Sequence, residues 1–404
     1  MTLSRRISSK IILLILICLV SFIVTVRIYV DHHLKKCSDQ NNTPHHTLTQ
    51  PPNTSDQSIL EQVMERGKLN CGVYGNLAGF SNVSQIDMTQ DNIEEQKQEN
   101  TSGFDIDICK AIAVAIFNDP KAVKYKYLDS EERLKSKEHL ESKKYDVLSR
   151  NTTWTVSRDV SDNNIEFGPI VFYDGQGILV RKNSEVKSLN DLNGTTICVK
   201  AGTTNQENLD DEKENRQLTF QIKPFRSQKD INRRYKQGEC QAVTADKSQL
   251  VGLLSSLNNP SEHTILPETL SKEPLAPAVI DSDQQWVEIV RWVVFTLIEA
   301  EELGINQNNL EEMKDSKDPK IRRFLGLEKQ EKSIGSLLGL EKQEKSIGSL
   351  LGLEPDYAQR IIDKVGNYGE IYNRHFGPNT STPIERGLNN LWNNGGLIYS
   401  PPFR

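Results

Sequence analysis

The sequence predicts an α/β chain folded as two successive sheet-and-helix units. Short apolar runs alternate with amphipathic helical patterns from Ile59 onward, and that alternation restarts near Gly177. The chain has 404 residues, 36 % hydrophobic and 26 % charged, enough to bury two or three separate cores. This composition excludes a polytopic membrane protein, a collagen-like chain and wholesale disorder. A formal net charge of −6 leaves no surplus of Lys and Arg to coat a nucleic-acid backbone, so no nucleic-acid partner is expected.

Taking the elements in order, Arg5, Arg6 and Lys10 precede an apolar run from Ile11 to Val20 that resumes after Ser21 and reaches Val26. A positive segment leading into a hydrophobic one directs export of the downstream chain. Neither an A-x-A-like cleavage pattern nor a lipobox is present, because Lys36 precedes Cys37 and Ile17 precedes Cys18. Residues 1–30 are therefore expected to be an uncleaved signal-anchor, held in the membrane by residues 11–30, in preference to a removed signal peptide. Either version leaves the body periplasmic or otherwise extracytoplasmic. Residues 31–57 have the composition of a disordered tether. Its pairs His32-His33 and His45-His46 lack partner ligands at zinc-site spacing, so no metal site is expected.

The body opens with a strand, Leu69–Val73, and a polar stretch from Ser81 to Ser102 that reads as a long exposed loop. After Gly103 comes a helix with Ile108, Ala111, Ile112, Ala115 and Ile116 on one face, stopped by Pro120. Asp105 and Asp107, at the helix start, read as caps rather than as a pair of catalytic acids. A strand over 124–128, a charged helix over 131–143 and a strand over 145–149 complete the first unit as a parallel sheet. The second unit has strands over 177–181, 195–200 and 242–245, with helices near 205–215 and 228–237. Ligands of such sheets lie beyond the carboxyl ends of the strands, here between the two units. Further on, the 13 residues 325–337 recur without change as 338–350. Thirteen residues turn a helix by three turns plus about 220°, so the second copy cannot extend the same buried face. The duplication is expected to bulge at the surface without a function of its own.

The segment Gly103-Phe104-Asp105-Ile106-Asp107-Ile108, followed by Ile112, Ala113 and Ile116, resembles the signature of the family 3 extracellular solute-binding proteins. Residues 70–73, 146–155, 173–177, 271–275, 365–371 and 386–389 narrow the resemblance to the general L-amino-acid-binding periplasmic proteins. It runs from about residue 58 to the end, apart from the 81–102 stretch and the duplication. The resemblance implies a type II periplasmic-binding-protein fold: two α/β lobes, two crossover segments and a ligand crevice between the lobes. Crossovers near 170–176 and 267–275 give lobe one as 58–170 plus 273–404 and lobe two as 171–272, with a C-terminal extension on lobe one. The implied function is the substrate-binding component of an amino-acid ABC importer. Its partners would be a free L-amino acid and a membrane permease, with no cofactor and a monomeric chain.

A zwitterion loses water from both its charged groups on binding, so each must meet a complementary partner. Arg158 has the fork that suits a carboxylate, although on residue type alone it equally suits an ion pair with Asp159 or a helix cap. The resemblance aligns Arg158 with the family's carboxylate-binding arginine, and Asn151 and Thr153 with its short polar contacts. Gly202-Thr203-Thr204 precedes a helix, where backbone N–H groups favour an anion; the bland alternative is a threonine cap, and the two are compatible. Thr204 is expected to touch the ligand directly. Asp246 ends a strand and resembles the aspartate that pairs the α-ammonium, the alternative being a structural salt bridge. Many relatives have an aromatic platform where this chain has Leu77, which weakens the case for cationic side chains and fits a broad specificity for polar amino acids.

Four cysteines of the body, Cys71, Cys109, Cys198 and Cys240, permit three pairings in an oxidising compartment. Pairing within each lobe leaves a hinge free, so Cys71–Cys109 and Cys198–Cys240 are expected; Cys18 and Cys37 are left over. No H-E-x-x-H, G-x-S-x-G or phosphate-binding loop is found, and His139, His263 and His375 lie outside the crevice motifs, so an enzyme is not expected. The alternative function is an anchored extracytoplasmic amino-acid sensor.

Overall fold

The computed structural model describes residues 57–84, 93–128, 132, 142, 144–160, 165–327 and 346–404. The expected signal-anchor, the tether up to residue 56, Cys18, Cys37, most of the 131–143 helix and residues 328–345 of the duplication lie outside the described residues. Among the described residues, no helix is long and apolar enough to cross a membrane, and no group of three or more His, Cys, Asp or Glu converges as a metal site.

Strands run in chain order as β1 (Leu69–Val73), β2 (Asn76–Leu77), β3 (Ser81–Val83), β4 (Thr101–Ser102), β5 (Val123–Tyr127), β6 (Val147–Leu148) and β7 (Ile165–Phe167). They continue as β8 (Phe172–Arg181), β9 (Thr196–Lys200), β10 (Gln221–Phe225), β11 (Ala242–Asp246), β12 (His263–Ile265), β13 (Lys272–Leu275) and β14 (Ala278–Ile280). One sheet has the order β5-β1-β6-β14-β7 and a second the order β10-β9-β11-β8-β12. The pairs made by β1 and by β9 are parallel, and each sheet also holds antiparallel members: β14 against β6 and β7, and β8 against β11 and β12. Both sheets are thus mixed rather than purely parallel. Parallel pairing needs a long crossover, and β8 and β14 follow short links from the other sheet instead. Those links lie side by side: Phe172↔Leu275, Tyr173↔Pro274, Asp174↔Glu273 and Gly175↔Lys272 form an antiparallel ribbon between the sheets. The whole segment 57–404 packs as one unit.

The helix Phe104–Phe117 is buried along most of its length because its sequence is apolar on nearly every side. Its N-cap is Gly103, at φ 143°, where an added Cβ would lie 2.0 Å from the Phe80 carbonyl oxygen. Asp105 and Asp107 therefore do not cap it. Asp107, one helical turn in, receives Lys110 Nζ (3.1 Å), His375 Nε2 (2.7 Å) and Arg374 Nη1 (2.5 Å), tying this helix to the helix Tyr368–Phe376. Burial alone would raise its pKa, but the hydrogen bond and charge of His375 and the charges of Lys110 and Arg374 outweigh it and hold Asp107 at about 2. Phe80, Phe104, Phe172, Tyr368, Tyr372 and Phe376 stack around the same helix. The C-terminal segment closes this core, with Phe403 edge-on to Trp292 at 5.1 Å between ring centroids.

The 81–102 stretch departs from the expected loop. β3 pairs with β2 and β4, and Ile93–Glu99 is helical with no residue buried; residues 85–92 lie outside the described set. A polar sequence sufficed because its order comes from side-chain hydrogen bonds. Gln98 gives and takes one each with the Tyr125 backbone (3.1 and 2.6 Å), serving the free edge of β5. The described ends of the duplication also differ from a surface bulge. Leu325 is fully buried, and the helix Ile347–Leu351 buries Gly348 and Leu351, because these leucines reach the main core.

Disulfides join Cys71 of β1 to Cys109 of the covering helix, and Cys198 of β9 to Cys240 just before β11. Each stays with one sheet, and neither crosses the ribbon.

Candidate functional site

Both sheets end their parallel strands toward a common gap. β1 leads into Tyr74 and Leu77, and β6 into Arg150, Asn151 and Thr153. From the other side, β9 ends on Lys200 and turns through Gly202 (φ 66°) into the helix Thr204–Asn215, while β11 ends on Asp246 and leads into the helix Lys247–Ser255. Asn151 takes a left-handed backbone, φ 45°, a conformation asparagine tolerates better than most residues. Tyr74, Leu77, Arg150 and Asn151 face Lys200, Thr203, Asn205, Thr244, Ala245 and Gln249 across a cavity of about 30 Å³. That is room for a water or two, so anything larger enters only when the walls part.

Side chains of the two walls meet directly. Gln249 Nε2 donates to Asn151 Oδ1 (2.9 Å) and also to Asp246 Oδ2 (2.9 Å). Asn205 Nδ2 holds the other Asp246 oxygen at 2.8 Å. Glu273, in the ribbon, accepts from Thr153 Oγ1 (2.6 Å) on one wall and from Thr204 Oγ1 (2.9 Å) on the other. Ser271 Oγ (2.6 Å) and Asn208 Nδ2 (3.1 Å) fill its second oxygen. Two of the residues lining the cavity each bury a polar atom with no hydrogen-bond partner among the described residues, Asn151 Nδ2, a donor, and Asn205 Oδ1, an acceptor.

The charges are arranged by sign. Asp246 is buried, and that burial, together with neighbouring Asp174 and Glu273, raises its pKa from 3.8 to about 8 despite the Asn205 and Gln249 hydrogen bonds. Asp174 rises to about 6, again mainly through burial. Arg158 donates from Nη1 to the Thr153 carbonyl at 2.7 Å. Burial pulls its pKa down, opposed by the charges of Glu273, Glu207 and Asp246, so the guanidinium and these carboxylates share one electrostatic neighbourhood. A buried carboxyl on one wall and a guanidinium on the other thus sit close to the gap.

Of the residues expected from sequence, Leu77, Asn151 and Thr203 line the cavity, Asp246 stands one hydrogen bond behind it through Asn205 and Gln249, and Thr153, Thr204 and Arg158 lie outside its lining, the two threonines on Glu273 and Arg158 on the Thr153 carbonyl. Thr204 does not present its hydroxyl to the cavity, because Glu273 takes it. Thr203 caps its helix, accepting from Gln206 N at 3.4 Å and donating to the Lys200 carbonyl at 2.7 Å. Tyr74, Arg150, Lys200, Asn205, Thr244, Gln249 and Glu273 were not expected. Arg150 and Glu273 lie inside the 146–155 and 271–275 motifs without an assigned role. Lys200 carried a readable signal: a lysine that ends a strand whose other residues are fit to be buried.

The sequence pattern of the bacterial extracellular solute-binding proteins, family 3, matches residues 86–378. The General L-amino acid-binding periplasmic protein AapJ of Rhizobium johnstonii is 43 % identical over 86 % of this chain and 93 % of its own length. The glutamate/glutamine/aspartate/asparagine-binding protein BztA of Rhodobacter capsulatus is 39 % identical over 86 % of this chain and 94 % of its own. A solved ABC transporter periplasmic binding protein from Brucella ovis, with glutathione bound, superposes with a TM-score of 0.76 at 41 % identity. That match covers 86 % of this chain and 100 % of the other.

Proposed function

This chain belongs to the bacterial extracellular solute-binding proteins, family 3, and from that premise we propose that it is the substrate-binding component of an amino-acid ABC importer. It captures free L-amino acids outside the cytoplasm and hands them to a membrane permease. Its fold is that of the type II periplasmic binding proteins. The task is binding rather than catalysis, carried out by a monomer without nucleic acid. The observation that supports this most is the pairing of a buried, hydrogen-bonded Asp246 on one wall with Arg158 on the other, each within the other's field.

In this reading the ligand ammonium meets Asp246 and its carboxylate meets Arg158, with Asn151, Thr153, Thr203, Thr204 and Leu77 shaping the walls. The orphaned Asn205 Oδ1 and Asn151 Nδ2 then gain an N–H donor and an oxygen acceptor from the ligand. Lobes 58–170 plus 273–404 and 171–272 move about the 172–175 and 272–275 ribbon, and a bound ligand stabilises the closed form through contacts to both. Residues 11–30 hold the protein at the membrane surface near the permease.

Calorimetric titration of residues 57–404 with the twenty amino acids tests the proposal. Several should bind with micromolar or tighter affinity, and Arg158→Ala or Asp246→Ala should weaken binding by about 100-fold or more, since each strips a buried charge of its partner. Binding to none of the twenty, or undiminished binding in both variants, would sink it.

A further inference from the structure

Residues 379–404 lie beyond the stretch that the family pattern matches, and their motif Arg386-Gly387-Leu388-Asn389 supplies nothing to the cavity lining. Its place is behind the ribbon that joins the two sheets. Tyr173 of β8 stands opposite Pro274, which has no N–H to give to a ladder. Both polar backbone groups of Tyr173 turn the other way. Its N–H donates to Asn389 Oδ1 at 2.6 Å, and Asn389 Nδ2 donates to its carbonyl at 3.1 Å. One side-chain amide thus serves the edge of the ribbon as a third strand would. Asn389 is 4 % exposed, and its own carbonyl accepts from Arg386 Nε at 3.0 Å and Nη2 at 2.9 Å. Arg386 is paired in turn with Glu301 of the helix Gln284–Glu302 and lies over the rings of Tyr368 and Tyr372. Asn389 is therefore fixed to the core around the helix Phe104–Phe117 while its side chain holds the ribbon.

We propose that Asn389 is a positioning residue for ligand capture, a clamp that holds the hinge ribbon in the conformation of the closed gap. The proposal rests on the solute-binding function and adds to it a residue that never meets the ligand. Bonds to the N–H and C=O of one residue fix its φ and ψ together, and hinge motion is a change of φ and ψ in a few linking residues. The grip on Tyr173 occurs together with the wall-to-wall bonds Gln249–Asn151 and Lys200–Tyr74, so it belongs to the form in which the walls meet. Turning the ribbon to part the walls moves both Tyr173 groups against a fixed amide and weakens both bonds. The same tail also reaches the far wall: a Cβ added at Gly252 of the helix Lys247–Ser255 would lie 3.9 Å from Thr382 Cγ2. Bonds made best in the closed form raise its share of the population, and the apparent affinity of every ligand scales with that share.

The test is made on residues 57–404 with L-glutamate and L-glutamine. Asn389→Ala should weaken both by one common factor of about tenfold, seen as faster dissociation with association changed less than about twofold. Trp392→Ala takes from the same tail the Nε1 bond to Glu302 at 3.1 Å, and it should leave both affinities within about twofold. Hydrogen exchange reads the clamp in the unsubstituted chain, where saturating ligand should slow exchange of the Tyr173 amide by about tenfold. Three results would each overturn the clamp and leave the solute-binding function standing: unchanged affinities in Asn389→Ala, losses as large in Trp392→Ala, or no slowing at Tyr173 on ligand binding. Failure of every amino acid to bind the unsubstituted chain would overturn that function and the clamp with it.

Discussion

Asp246 is the residue where structure and chemistry are most tightly linked. With its pKa raised from 3.8 to about 8, chiefly by burial and then by Asp174 and Glu273, it favours the protonated form at neutral pH. Pairing with an ammonium requires the carboxylate, so capture of a ligand must expel that proton. Affinity should therefore weaken as pH falls below about 8, by at most about tenfold per unit. Calorimetry at pH 6.5 in two buffers of different ionisation enthalpy should report about one proton released, and Asp246→Asn should release none. The sign for folding follows from the same shift. The folded chain binds this proton more tightly than the unfolded one, so the contribution of Asp246 to stability is full below pH 3.8 and is lost as pH rises toward about 8. Asp107 behaves oppositely: held at about 2, it stabilises above 3.8 and loses its contribution as the pH falls toward 2. Asp107→Asn should cost about 1–2 kcal/mol at pH 7, discounted because Arg374 is 40 % exposed, and much less at pH 2.

At the scale of elements, the two disulfides and the ribbon divide the work between stiffness and motion. Cys198–Cys240 closes a separation of 42 residues within one sheet, so replacing both cysteines by alanine should lower stability by about 2–4 kcal/mol in denaturant titration. Because neither disulfide bridges the ribbon, the same variant should keep ligand affinity within about threefold. Glu273 has the contrary role. It ties Thr153 and Thr204 of opposite walls to the ribbon, so Glu273→Ala should weaken L-amino-acid affinity by about tenfold, read by the same calorimetry, with a smaller loss of stability. The strands were legible where an apolar run was bounded by turn residues, as at Leu69–Val73, Thr196–Lys200 and Ala242–Asp246. The order around Gln98 was not legible, because a side-chain amide serving an edge strand leaves no periodicity in a polar stretch. The antiparallel placement of β8 and β14 was hidden for a related reason: alternation reveals strands and helices, but strand direction depends on which sheet a link comes from.

For the molecule as a whole, the gap between the walls decides function, and it belongs to neither wall alone. The family resemblance pointed to Asn151, Thr153, Arg158 and Asp246, and the Gly202-Thr203-Thr204 turn before a helix pointed to an anion contact. Gln249 and Tyr74 were missed because each is a lone polar residue whose partner stands on the opposite wall, and Asn205 because its partner, Asp246, lies far along the chain on the same wall. A cavity of about 30 Å³ requires that the walls separate before a ligand enters. Fluorescence energy transfer between probes on the two lobes should show a longer mean distance in the absence of ligand, shortening on addition of L-glutamate. The most direct measurement is a crystal structure of residues 57–404 grown with L-glutamate. The prediction is a ligand ammonium about 3 Å from Asp246 and its α-carboxylate against Arg158. A ligand lodged outside this gap, or lying within it with its ammonium turned away from Asp246, would contradict the account.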